Sequence, residues 1–209
     1  MPPKNKAKDS IADVLAAANK KYEGKFTEGF DSAGVEFLDT GNMAVNHIIG
    51  GGIPRGRITQ LYGQSMSGKT TCALQTAANT QAQLIREGSG DIIVYMDYEC
   101  ALDEDYALSL GLDIQDKDTI RMFRPQDFET GGNIARTLIQ TGKVRLIIWD
   151  SVPSMMPSTI LDDEVGKAAV APLPRLLAPF LGTLNPLLMN TRTACVFINH
   201  IGDKIGGMP

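Results

Sequence analysis

The stretch Gly63 to Thr71, GQSMSGKTT, constrains this chain more than any other, because Gly63 through Thr70 match the spacing G-x-x-x-x-G-K-[ST]. Glycines at both ends let the backbone curl so that successive N–H groups face inward, and a helix starting at the lysine adds the positive end of its dipole. A loop of this kind suits phosphate oxygens. Gly63, Gln64, Ser65, Met66, Ser67, Gly68 and Thr71 would form the cradle, and Lys69 would reach the β and γ phosphates. The Thr70 hydroxyl is a hard oxygen ligand of the kind Mg2+ takes. The flanks agree with this reading: ITQLY (58–62) has the pattern of a strand and CALQTAANTQAQLI (72–85) that of a helix. A glycine-rich turn with no ligand would not account for that order.

Four more segments have strand character: DIIVYMD (91–97), TIRMFRP (119–125), VRLIIWD (144–150) and ACVFIN (194–199). Their apolar runs are those of strands buried on both faces. Alternating with helical patterns, they predict an α/β fold: a doubly wound, mostly parallel sheet with helices on both faces and ligands at the carboxyl ends of its strands. FETGGNIARTLIQTG (128–142) reads as a helix interrupted by glycines, and Ser151 to Pro172, which lacks periodicity, as a long loop. Leucines from Leu173 to Leu188 keep a helical apolar face, but Pro179 and Pro186 fall inside it and predict a kinked or broken helix. Near the start, Ser10 with Asp13 three residues on caps a short amphipathic helix. Its apolar face has two possible neighbours, its own domain or another subunit.

A length of 209 residues with 43% hydrophobic content is enough for one α/β domain with a sizeable core. The net charge of −4 excludes a protein that coats nucleic acid by bulk electrostatics, so any DNA contact must come from local basic residues or from a surface built by several subunits. No apolar run is long enough to span a membrane and MPPKNKAKDS is no secretory signal, which reads as a cytoplasmic protein without a membrane partner. Cys72, Cys100 and Cys195 are too widely spaced for a disulfide framework or a metal-binding pattern.

Two carboxylates carry further chemistry. Asp150 closes the apolar run LIIWD, where a buried strand can deliver a carboxylate to a Mg2+ shell or simply enter a turn. Glu99 follows the strand in YMDYECALD. It is either a base that orients a water in line with the γ phosphate or a solvated loop glutamate, and the pattern alone leaves both open.

The runs TGNMAVNHIIGGGIPRGRITQLYGQSMSGKTT, YMDYECALDEDY, LIIWDSVPS and FINHIGDKIGG, in that order, resemble the bacterial and phage RecA-type strand-exchange recombinases. The resemblance implies a RecA-like P-loop ATPase core over residues 36–209, ending within a second DNA-binding loop, preceded by a tail and polymerisation helix over 1–35. It also implies ATP and Mg2+ as cofactors. Glu99 would be the catalytic glutamate, Lys69 and Thr70 would hold phosphate and metal, and Asp150 would complete the metal site. Asp103 and Tyr106 match adenine contacts, the tyrosine by stacking. A first DNA loop falls around Leu161 to Val170 with Arg175 near it, and a second begins at His200 with Lys204 in it. The implied partners are single- and double-stranded DNA, further copies in a helical filament, and single-strand-binding and loader proteins. Gly202 stands where bacterial members commonly carry arginine. His200 replaces their glutamine and is similar to the phage recombinases of the UvsX kind, implying a phage-infected bacterial cell. Family members continue past the position of Pro209, so the chain reads as a fragment or as a short product.

Two other functions fit parts of this pattern. One is a non-enzymatic ATP-binding protein that caps or regulates a full-length recombinase filament. The other, a hexameric helicase of related fold, fits YMDYECALD less well.

Overall fold

A computed structural model describes residues 10–21, 34–161 and 172–201. The chain divides into two units, Met1–Gly34 and Val35–Pro209, each taken by itself. In the first, α1 spans Ile11–Lys21. Its start is a reciprocal cap: Ser10 Oγ accepts from Asp13 N at 3.2 Å, and Asp13 Oδ2 accepts from Ser10 N at 3.1 Å and from Ser10 Oγ at 2.7 Å.

The second unit opens with a two-stranded antiparallel ribbon, β1 (Phe37–Leu38) with β2 (Ile53–Pro54), around the short α2 (Met43–Ile48). Asn42 caps α2, its side chain accepting from Ala44 N at 3.0 Å and Val45 N at 3.2 Å. The main sheet follows. Its strands are β3 (Ile58–Gly63), β4 (Ile92–Asp97), β5 (Ile120–Phe123), β6 (Val144–Asp150) and β7 (Ala194–His200), in the spatial order β3-β7-β6-β4-β5 with every pair parallel.

Alternation along the central strands divides the core in two. Ile93 and Tyr95 of β4, Leu146 and Ile148 of β6, and Val196 and Ile198 of β7 pack with α3 (Lys69–Glu87) on one face. Val94, Met96, Ile147, Trp149, Cys195 and Phe197 pack on the other, against α5 (Phe128–Gln140) and the long C-terminal helix Pro172–Thr191. Trp149 is fully buried there. It stacks on Phe197 at a centroid distance of 5.3 Å and meets Phe180 edge-on at 5.7 Å. Helices on both faces of a parallel sheet are the architecture expected from the sequence. No helix among the described residues is long and apolar enough to cross a membrane.

Three expectations about local structure need correction. The glycines at 131 and 132 do not interrupt α5, which runs unbroken. They let it approach its neighbours: a Cβ on Gly131 would lie 2.0 Å from Tyr98 Oη and 2.9 Å from Pro125, and one on Gly132 would lie 3.2 Å from Phe180. Gly131→Ala is therefore expected to cost about 1–3 kcal/mol of stability. Tyr98→Phe should relieve part of that cost, because it removes the nearest atom, a buried hydroxyl without a hydrogen-bond partner. Urea denaturation of both single variants and the double variant checks this.

The region after β6 is not all loop, since a 3₁₀ turn at Val152–Ser154 and α6 (Ser158–Leu161) form within it. Residues 162–171, most of the stretch expected to form a first DNA loop, lie outside the described residues. Finally, α7 (Pro172–Thr191) is one continuous helix, so Pro179 and Pro186 do not break it. Both prolines are exposed and seven residues apart, on the face away from buried Phe180, Leu184 and Leu188. The carbonyls they leave unpaired, four residues earlier, therefore fall on the solvent side, where water can satisfy them.

Candidate nucleotide site

The site forms where β3, β4, β6 and β7 end along one edge of the sheet. Parallel pairing places Gly63 opposite His200 and Asp97 opposite Asp150, so four strand ends deliver their terminal residues to one line. Beyond β3 the chain turns through the loop and enters α3 at Lys69. The N-cap is Gly68, which has φ +84° and offers no side chain to the helix's first N–H groups. Those donors are left for an anion. Met66 also has positive φ, 63°, and is fully exposed at the loop's tip. A Cβ on Gly63 would lie 2.8 Å from Ser67 Oγ, so a side chain there would require that hydroxyl to turn away. Lys69 Nζ crosses the loop mouth and donates to the carbonyls of Gln64 at 2.8 Å and Gly63 at 3.2 Å.

Asp150 lies under this loop, buried to 5% exposure. Its Oδ2 accepts from Thr70 Oγ1 at 3.0 Å and from the Tyr95 hydroxyl at 2.7 Å, while Oδ1 is buried with no hydrogen-bond partner. Burial raises the Asp150 carboxyl above its ordinary pKa, and the bonds from Tyr95 and Thr70 offset only part of that. Burial, with the Asp150 carboxylate beside it, also pushes the Tyr95 phenol far up, so it remains a donor. A raised carboxyl means that the folded chain binds more protons than the unfolded one between the ordinary carboxylate range, about pH 4, and the raised value. Stability of the protein without ligand is therefore expected to fall as pH rises through that window. Asp150→Asn should flatten the slope, which urea midpoints measured across the window on both proteins would register.

Glu99 follows β4. Its N–H is 3.3 Å from the Asp150 carbonyl, and its Oε1 accepts from the Ser151 hydroxyl and lies 3.5 Å from His200 Nε2. Lys69, Thr70, Asp150, Glu99 and His200 are thus brought together along this edge. Thr71 Oγ1 is 2.8 Å from the Tyr106 hydroxyl, which sets the half-exposed Tyr106 ring beside the first turn of α3. Asp103 is the N-cap of α4 (Glu104–Ser109), accepting from Tyr106 N at 2.8 Å. Arg175 is exposed near the start of α7, whereas Lys204 lies outside the described residues.

Sequence reasoning missed Tyr95, Ser151 and Asp97. Tyr95 reads as one more apolar strand residue, and only its hydroxyl distinguishes it. Asp97 carried a usable signal, because it ends the run IIVYMD as Asp150 ends LIIWD. It is 2% exposed and accepts from Arg124 Nε at 3.1 Å.

A family model for the RecA N-terminal domain matches residues 13–209. The chain is 37% identical to the protein RecA of Lactobacillus acidophilus over 210 aligned residues, covering 97% of this chain and 55% of that protein. It is 36% identical to the protein RecA of Chlorobium chlorochromatii, covering 97% and 56%. With the protein RecA of Leifsonia xyli the identity is 38%, covering 84% of this chain and 47% of the relative. The chain spans about half the length of these curated relatives. By the extent of the domain match and by these identities, the chain belongs to the RecA family, through its N-terminal domain.

Proposed function

We propose that this chain works as an ATP-dependent homologous recombination protein, a DNA-dependent ATPase that forms helical filaments on single-stranded DNA and promotes strand pairing and exchange. The observation that carries the reading is the convergence of Lys69, Thr70, Asp150 and Glu99 at one sheet edge in a chain of this family.

In this reading the loop from Gly63 to Thr71 cradles the phosphates by backbone N–H groups, and Lys69 turns from the loop carbonyls to the β and γ phosphates. The buried Asp150 Oδ1, without a partner, fits a cation. Thr70 and Asp150 would hold Mg2+, partly through water, and the ion when bound neutralises charge on the β and γ phosphates. Among the described residues no group of three or more His, Cys, Asp or Glu could hold a metal, so its other ligands would be phosphate and water. Glu99 accepts a proton from the water whose oxygen bonds the γ phosphorus as the bond to ADP breaks. Tyr106 stacks on adenine and Asp103 meets the base with the carboxylate oxygen that does not cap α4. His200 senses the γ phosphate and relays it to the second DNA loop, while Arg175 and Lys204 contact DNA backbone.

Residues 1–35 supply the polymerisation helix, and the RecA-like ATPase core covers 36–209. Double-stranded DNA, single-strand-binding proteins and loaders are the further partners, in a bacterial cytoplasm. The finer assignment to the phage UvsX-like type rests on His200 alone, the relatives named above being bacterial. The test is ATP hydrolysis with and without single-stranded DNA, followed by a strand-exchange assay. ATP binding with neither hydrolysis nor exchange would favour the filament-capping reading.

A further inference from the structure

Ser151 is fully buried and stands at the N-cap of the 3₁₀ turn Val152–Ser154, yet its side chain makes no cap bond. Two residues on, Pro153 has no N–H to offer the hydroxyl. Here only the Ser151 carbonyl serves the turn, accepting from Ser154 N at 3.1 Å, and the hydroxyl donates instead to Glu99 Oε1. These residues are 52 apart in sequence. The hydroxyl proton is directed to a distant carboxylate.

We infer that Ser151 is a positioning residue for Glu99: it holds Oε1 so that Oε2 is the oxygen presented to the attacking water. His200 Nε2 stands 3.5 Å from the same Oε1, the oxygen that Ser151 holds. The backbone fixes the pair from below, because the Asp150 carbonyl accepts from Tyr98 N at 2.7 Å and from Glu99 N at 3.3 Å, tying the end of β4 to the residue before Ser151. A carboxylate so anchored does not have to search rotamers when the nucleotide binds. Ser151 transfers no proton in the reaction; its hydroxyl remains a donor throughout.

The inference rests on the reading of Glu99 as the base, and the experiment separates the two. ATP turnover with single-stranded DNA is measured on wild type, Ser151→Ala, Glu99→Gln and the double variant, together with affinity for a non-hydrolysable ATP analogue. Ser151→Ala should lower kcat by about 10- to 100-fold, the scale of a misplaced reacting group, with analogue affinity unchanged. In the Glu99→Gln background the same change should have no further effect, since a residue that acts through Glu99 has nothing left to position. A kcat in Ser151→Ala equal to or above wild type, or an equal loss in both backgrounds, overturns the inference. Wild-type turnover in Glu99→Gln, or no turnover in the wild type, overturns the reading beneath it.

Discussion

Replacing Glu99 with glutamine is expected to lower DNA-stimulated ATP turnover by about two to four orders of magnitude, the usual scale for loss of a general base, while ATP affinity survives. The amide is nearly isosteric, and its oxygen can still accept from the Ser151 hydroxyl that now reaches Glu99 Oε1. The side chain is 34% exposed, so little packing changes and the thermal midpoint should stay close to wild type. On the proposed role of Glu99, what is lost is the capacity to take a proton from the water. Binding of a non-hydrolysable analogue and single-turnover hydrolysis separate the two effects. Full turnover in the variant would remove Glu99 from the chemistry.

Lys69→Ala should act on binding itself, with ATP affinity falling about 100- to 1000-fold. The side chain would make charge-assisted bonds to phosphate oxygens, each contributing about 1.5–3 kcal/mol, and each 1.4 kcal/mol is a factor of ten. The loop should survive the change. The two carbonyls that Lys69 Nζ serves belong to Gly63, part-buried, and Gln64, exposed, so water can replace the ammonium at both. Calorimetric titration with ATP, beside a thermal melt of the same protein, distinguishes loss of a contact from loss of the fold. Undiminished affinity would place the nucleotide elsewhere.

The features legible before any coordinates are those whose causes are local. A strand, a glycine-bounded turn and a helix entered at Lys69 follow one another in consecutive sequence, so the order around Gly63 to Thr71 is legible directly. VRLIIWD is apolar because β6 is central and covered on both faces, and the strand observed has the bounds of that run. The Ser10 cap also lies within one turn of sequence. The seven-residue spacing that puts Pro179 and Pro186 on one face is legible too, but which side of the helix meets water is set by packing.

Other features required the tertiary structure, because they depend on which strands pair and in what register. The order β3-β7-β6-β4-β5 is set by the crossovers of α3, α5 and α7, and that order makes Gly63 a neighbour of His200. Register matters as much: with Tyr95 opposite Ile148 and Asp97 opposite Asp150, a core-facing tyrosine can bring its hydroxyl to Asp150 Oδ2. Gly131 reads as a helix breaker in sequence and is a point of close approach only once Tyr98 and Pro125 lie against it. Ser151 and Glu99 show the same division: residue type and strand-end position were local properties of the chain, but a hydrogen bond across 52 residues exists only because parallel pairing brings the ends of β4 and β6 side by side.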